Sequence, residues 1–238
     1  IAMNERAKLL GMDNTNFVNT NGLPAENHYS SAEDVAIMTR ELLKFPLVFE
    51  YSTIWMDTIR NGSFGLANTN KLIRFYKGAN GMKTGFTDEA MFCLSGTAIR
   101  DGMQLISVVL GASTSQERFS TVKKMLDFGF ANYSLVTPEK LSLEPVDIIK
   151  GVKETASIDY TPASLLLEKG TKSSIEQTAH IELSAEAPVL KGDTVGYIIY
   201  EIDGAEVARV PVIITEDVDK IGYFTILGRI IKSIFAFF

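Results

Sequence analysis

An ammonium, a hydroxyl and a residue without a side chain, in that order, suit a ligand that ends in a carboxylate. The chain carries that triplet once, at Lys83-Thr84-Gly85. Lys83 supplies positive charge and Thr84 a hydroxyl that can donate to a terminal carboxylate. Gly85 lets a ligand backbone come close, and an extended peptide can add to a strand edge there through main-chain hydrogen bonds. A lysine beside a serine also assists proton transfer near neutral pH, which makes Lys83 the catalytic candidate. Lys-Thr-Gly is common by chance, so its surroundings decide. A glycine turn, Gly78-Ala79-Asn80-Gly81, precedes it, it opens a strand, and the polar loop Asn68-Thr69-Asn70 lies just upstream.

Other chemistry is poorly supplied. One cysteine, Cys93, sits in the apolar run Ala90-Met91-Phe92-Cys93-Leu94 and reads as a small buried hydrophobe. A single cysteine forms no intramolecular disulfide. The two histidines are His28, in a turn-rich loop, and His180, in a strand-like stretch, so neither a zinc site nor any cofactor is expected. The net charge is -6, with no basic stripe of the kind nucleic acid demands. Ser120-Thr121-Val122-Lys123 is a literal Ser-x-x-Lys, but it lies mid-helix downstream of Lys83 and reads as coincidence.

The elements that must position Lys83 follow from spacing. Met3, Ala7 and Leu10 fall at helical intervals, with Gly11 to end the helix and no capping residue before it. The chain therefore enters a helix midway and is expected to be the C-terminal part of a longer protein. Ser30-Ser31-Ala32-Glu33 reads as a capping box with Ser30 at the cap, opening a helix that ends before Pro46. Residues 53–72 shorten to hairpin-like pieces that turn at Asn61-Gly62. Strands are expected at Met91 to Ile99 and Leu105 to Leu110, joined at Arg100-Asp101-Gly102, which with the Lys83 strand gives an antiparallel sheet. An amphipathic helix from Ser115 to about Ala131 presents Phe119, Val122, Met125, Leu126 and Phe130.

Beyond Pro138 the texture changes. Short strands at regular spacing over 141–216 predict a small all-β sandwich. Residues 220–238 place Tyr223, Phe224, Ile226, Leu227, Ile230 and later apolar residues opposite Lys220, Arg229 and Lys232. Cations in a bilayer centre cost about 2.5–3.5 kcal/mol each. The tail is thus expected to lie in a membrane interface as an amphipathic helix.

Taken together, Met3-Asn4, Leu10-Gly11, Thr15, Phe17, Asn19, Gly22-Leu23, His28-Tyr29-Ser30, Ala32 and Asp34 resemble the low-molecular-mass penicillin-binding proteins, serine D-alanyl-D-alanine carboxypeptidases. Asn68-Thr69-Asn70 followed by Gly81-Met82-Lys83-Thr84-Gly85-Phe86-Thr87 resembles their Lys-Thr-Gly strand, and the β-rich segment and tail resemble their C-terminal domain and anchor. The resemblance implies a mixed α/β fold: a partial β-lactamase-like transpeptidase domain over 1–138, a β-sandwich over 141–216 and a membrane-anchor helix over 220–238. It implies removal of a terminal D-Ala from peptidoglycan stem peptides through an acyl-enzyme, β-lactam binding, and a place on the extracytoplasmic face of the bacterial membrane. Lys83, Thr84 and Gly85 would bind the substrate, with Thr69 lining the pocket. Family order puts Ser-x-x-Lys and Ser-x-Asn before Lys-Thr-Gly, and neither occurs before residue 83. The nucleophile is therefore expected upstream, and Phe86 stands where some relatives carry His. Two other readings stay open: a non-catalytic module that binds or anchors at peptidoglycan, and a β-lactamase relative, against which the sandwich and tail count.

Overall fold

The computed structural model describes residues 1–170, 174–223 and 225–228. The chain divides into two units, Ile1–Ser134 and Leu135–Phe238.

The first unit begins with α1 (Ala2–Leu9), which closes at Leu10 and turns away at Gly11, φ +77°. Helix α2 (Ala32–Leu42) is capped one residue later than its sequence suggests: the Ser31 hydroxyl accepts from the Asp34 amide. The reason lies in Asp34. Its buried carboxylate accepts from the Asn14 amide at 2.8 Å and the Thr15 hydroxyl at 2.6 Å, tying the preceding loop to the helix start. Two short helices, α3 (Leu47–Ser52) and α4 (Leu72–Phe75), flank a hairpin of β1 (Met56–Ile59) and β2 (Phe64–Ala67). Arg60, Asn61 and Gly62 turn that hairpin with φ of 54°, 55° and 85°.

The centre of the unit is the antiparallel sheet β3 (Ala79–Thr87), β4 (Met91–Arg100) and β5 (Met103–Ala112), in that spatial order. Asp101 and Gly102, both at positive φ, make the two-residue turn that pairs Arg100 with Met103. Strand β3 starts earlier than expected. Ala79 to Gly81, read from sequence as a turn, pair with Thr97 and Ala98, and only Gly78 keeps a left-handed φ, +81°. Helix α5 (Ser115–Asn132) is capped by Thr114 and buries Phe119, Val122, Leu126 and Phe130. Met125, expected on that face, is exposed, and Arg118 is buried in its stead. Gly96 lets α4 and α5 close onto the sheet: a Cβ there would stand 2.7 Å from Val122 Cγ1 and 2.8 Å from Leu72 Cδ1.

Strand β6 (Tyr133–Val136) leads into the second unit, which is built of strands up to Ile214, with helical turns at Tyr223 and residues 225–228. Its further strands are β7 (Val146–Ile149), β8 (Thr155–Ala156), β9 (Ile158–Asp159), β10 (Leu165–Glu168), β11 (Ile175–Ile181), β12 (Ser184–Glu186), β13 (Thr194–Ile202) and β14 (Ala205–Ile214). They form sheets ordered β11-β13-β14-β9, β12-β7-β8 and β10-β6. Val146, Ile148, Val195, Ile198, Tyr200, Val212 and Ile214 share one core. Among the described residues no helix is long and apolar enough to cross a membrane. Most of the expected anchor, Phe224 and residues 229–238, lies outside the described residues.

Candidate functional site

Strand β3 pairs with β4 on one side only; its other edge has no partner strand among the described residues. Alternation along β3 sends successive side chains to opposite faces. Lys83 is opposite Ser95, Thr84 opposite Leu94 and Gly85 opposite Cys93. Lys83 is exposed and its Nζ donates to the Thr84 carbonyl at 2.6 Å. The Thr84 side chain is buried, and its hydroxyl lies 2.6 Å from that of Thr69.

Two asparagines bring Thr69 there. Asn70, 1% exposed, donates from Nδ2 to the Gly81 carbonyl at 2.9 Å and accepts the Leu72 amide on Oδ1. Asn68 accepts the Asn70 amide and donates to the Ile54 carbonyl, so the loop is fastened at both ends. The base of β3 is held as well: Asn80 bonds Thr97 and Gln104 through its side chain and Ser52 through its carbonyl.

Spacing alone did not disclose Arg118. It rises from α5, is 6% exposed, and donates from Nη1 to the carbonyls of Gly85 and Cys93 at 3.2 and 3.1 Å. Its Nη2 donates to the Ser115 hydroxyl, and its guanidinium lies over the Phe119 and Phe92 rings. Burial pulls its pKa down from the ordinary arginine value, but arginine stays protonated at any physiological pH. The signal was available: Arg118 stands four residues before Val122, on the apolar stripe, where a charge needs partners.

Gly85 is exposed, and a Cβ there would meet only Cys93 Cβ, at 3.7 Å. The protein's own packing does not require glycine at this position, so its bareness leaves room on the open side. Phe86 next to it is 56% exposed and packs on Phe92 at 4.5 Å between ring centroids.

The remaining sequence candidates have structural partners. His28 Nδ1 accepts from the Val18 amide, and Cys93, half-buried, donates to the Ala90 carbonyl. The Ser120 hydroxyl donates to the Glu117 carbonyl within α5 and has no bond to Lys123. No metal-binding cluster occurs among the described residues. The ensemble thus offers an open strand edge, an ammonium, paired threonine hydroxyls and a buried guanidinium behind the strand, which together can hold an extended peptide and its carboxylate.

Residues 1–114 match the family model for D-alanyl-D-alanine carboxypeptidase, and residues 139–220 match the C-terminal domain of penicillin-binding protein 5. The D-alanyl-D-alanine carboxypeptidase DacF of Bacillus subtilis is 39% identical over 95% of this chain and 60% of its own length. DacC of Escherichia coli is 32% identical over 96% of this chain and 57% of its own length. The two matched segments are the successive parts of a low-molecular-mass penicillin-binding protein, and residues 1–114 carry the likeness to the D-alanyl-D-alanine carboxypeptidase family. Penicillin-binding protein 5 from Haemophilus influenzae superposes with a TM-score of 0.69 at 28% identity, covering 92% of this chain and 65% of that one. Penicillin-binding protein D2 from Listeria monocytogenes, solved in cefotaxime-bound and ampicillin-bound forms, is 38% identical with a TM-score of 0.51 over 54% of this chain and 53% and 54% of those two. The chain spans about 60% of the length of these curated carboxypeptidase relatives.

Proposed function

We propose that this chain is the C-terminal part of a peptidoglycan D-alanyl-D-alanine carboxypeptidase and supplies its substrate-carboxylate pocket. The observation that carries this is Lys83-Thr84-Gly85 on an unpaired strand edge, with the Thr69 hydroxyl 2.6 Å from that of Thr84. A stem peptide ending in D-alanyl-D-alanine adds along β3, its terminal carboxylate held by Thr84 with Thr69 beside it. Lys83 serves as the ammonium that assists proton transfer at an attacking serine. That serine, in a Ser-x-x-Lys motif, comes from chain outside residues 1–238, as does the Ser-x-Asn motif. The same acylation accounts for β-lactam binding, in keeping with the drug-bound forms of the Listeria relative.

Within this reading the second unit is a sandwich that spaces the enzyme from the membrane. The tail's sequence, with apolar residues set against Lys220, Arg229 and Lys232, supports attachment to the extracytoplasmic face of the cytoplasmic membrane. A second reading, a module that binds peptidoglycan without catalysis, is favoured for residues 1–238 alone because the hydroxyl of the one Ser-x-x-Lys serine, Ser120, donates to the Glu117 carbonyl.

A fluorescent penicillin tests the proposal. The protein with its upstream segment should be labelled at one serine, and residues 1–238 alone should remain unlabelled. Stable labelling of residues 1–238 at Ser120 would overturn the assignment.

A further inference from the structure

A groove of about 630 Å³ opens between α4 and α5, with Lys71 and Phe75 on one side and Ser115, Phe119 and Lys123 on the other. Phe119 is buried and forms the floor, while Phe75 is 64% exposed. Neither lysine ammonium lies within ion-pair distance of a carboxylate among the described residues. The nearby acids on α5 are engaged elsewhere: Glu117 accepts from Ser113 and Asp127 from the Tyr76 hydroxyl. The bias runs through the sequence. Between Asp57 and Asp88 stand Arg60, Lys71, Arg74, Lys77 and Lys83 and not one aspartate or glutamate, in a chain whose net charge is -6.

Arg118 links this groove to the carboxylate pocket. Ser115, on its wall, accepts from Arg118 Nη2 while Arg118 Nη1 holds the Gly85 carbonyl. Lys71 follows the loop whose Thr69 meets Thr84. A peptide lying along the β3 edge with its terminal carboxylate at Thr84 thus has a cationic, partly aromatic groove beside it.

We propose that this groove is an accessory subsite for an acidic peptide segment. It takes a side-chain carboxylate between Lys71 and Lys123, with apolar atoms against Phe75 and main-chain groups against the Ser115 hydroxyl. The subsite rests on the proposed recognition of a peptide carboxylate at β3, and it adds a preference for substrates that carry a second negative charge.

Fluorescence anisotropy on the 238-residue chain tests it with three labelled peptides. All end in D-alanyl-D-alanine; one carries two glutamates upstream, one carries glutamines there, and one is the glutamate peptide with an amidated terminus. Two partly exposed charge contacts should make the glutamate peptide bind about five- to tenfold tighter than the glutamine peptide, an advantage that shrinks with added salt. Lys71→Gln with Lys123→Gln should remove that preference and leave the glutamine peptide's affinity unchanged, while the double arginine variant retains it. Equal affinity for the two peptides, or a preference that survives the double glutamine variant, overturns the subsite. So does a Lys71- and Lys123-dependent affinity for phosphatidylglycerol vesicles without any glutamate preference, which would assign the groove to lipid. Failure of the β3 reading looks different: amidation of the terminus then leaves affinity unchanged while the glutamate preference persists.

Discussion

Two glycines in adjacent strands separate packing from function. Gly85 has no left-handed φ, so alanine can adopt its backbone conformation. Its new Cβ would meet Cys93 Cβ at 3.7 Å, an ordinary contact. Restricting the unfolded chain should then stabilise the Gly85→Ala protein by about 0–1 kcal/mol. Gly96→Ala gains the same entropy term but drives a methyl to within 2.7 Å of Val122 Cγ1 and 2.8 Å of Leu72 Cδ1. Overpacking of that kind costs about 1–3 kcal/mol, so the net loss should be about 1–2 kcal/mol, or roughly 4–8 °C in Tm by the usual scaling for a unit of this size. The assay is convenient because the chain holds one tryptophan, Trp55, which packs edge-on against Phe75 in the first unit. Its fluorescence in a urea titration therefore follows that unit alone. Acylation by a fluorescent penicillin, measured on the protein with its upstream segment, should slow about tenfold in Gly85→Ala through loss of one or two main-chain hydrogen bonds to the ligand, at about 0.5–1.5 kcal/mol each. If Gly85→Ala loses stability as Gly96→Ala does, or acylates at the parent rate, the open space beside β3 is not a ligand's.

Two further outcomes follow from buried or half-buried polar groups. Asn70→Ala leaves the Gly81 carbonyl and the Leu72 amide without their side-chain partners and should cost about 2–4 kcal/mol in the Trp55-monitored transition; a loss under about 0.5 kcal/mol would show that the loop is held by other means. Burial and the hydrogen bond to Asp127 push the Tyr76 hydroxyl up to about 12 from its usual 10. A raised value favours the protonated folded form, so that contribution is whole below pH 10 and is lost as pH climbs from 10 towards 12. Urea midpoints of the parent should fall across that window more steeply than those of Tyr76→Phe, and parallel curves would refute the assignment.

How much of this was legible depended on element length. The β4–β5 hairpin and α5 could be read because each runs long enough for a period to repeat, and Asp101-Gly102 names its own turn. Helices α3 and α4 span 6 and 4 residues, too short for a helical period to declare itself. Ser30 and Ser31 both suit a cap, and only the pull of Asn14 and Thr15 on Asp34 selects the second. Gly78-Ala79-Asn80-Gly81 carries turn composition, yet pairing with Thr97 and Ala98 overrides it for all but Gly78. At the site, Lys83-Thr84-Gly85 stood out from residue type together with its surroundings, the glycine turn before it and the Asn68-Thr69-Asn70 loop upstream. Asn70 and Arg118 did not, since each matters through a partner in another element, Gly81 for the first and Gly85 and Cys93 for the second.

The register of β3 places a geometric demand on whatever completes the proposed enzyme. Thr84 shares a face with Leu94 and Gly96, the face on which α5 packs, and there its hydroxyl meets Thr69. Lys83 shares the opposite face with Ser95, whose hydroxyl is 2.8 Å from that of Thr39 in α2. In the proposed enzyme, carboxylate recognition by Thr84 and proton transfer by Lys83 would therefore be divided between the two faces of one strand and would cooperate only at its edge. A serine served by Lys83 has to approach from the α2 side and stop level with that edge, while the peptide carboxylate reaches over to the α5 side. A ligand bound along the unpaired edge of β3 satisfies both, because it lies in the plane that separates them. On that proposal, a strand paired there would occupy the ligand's place.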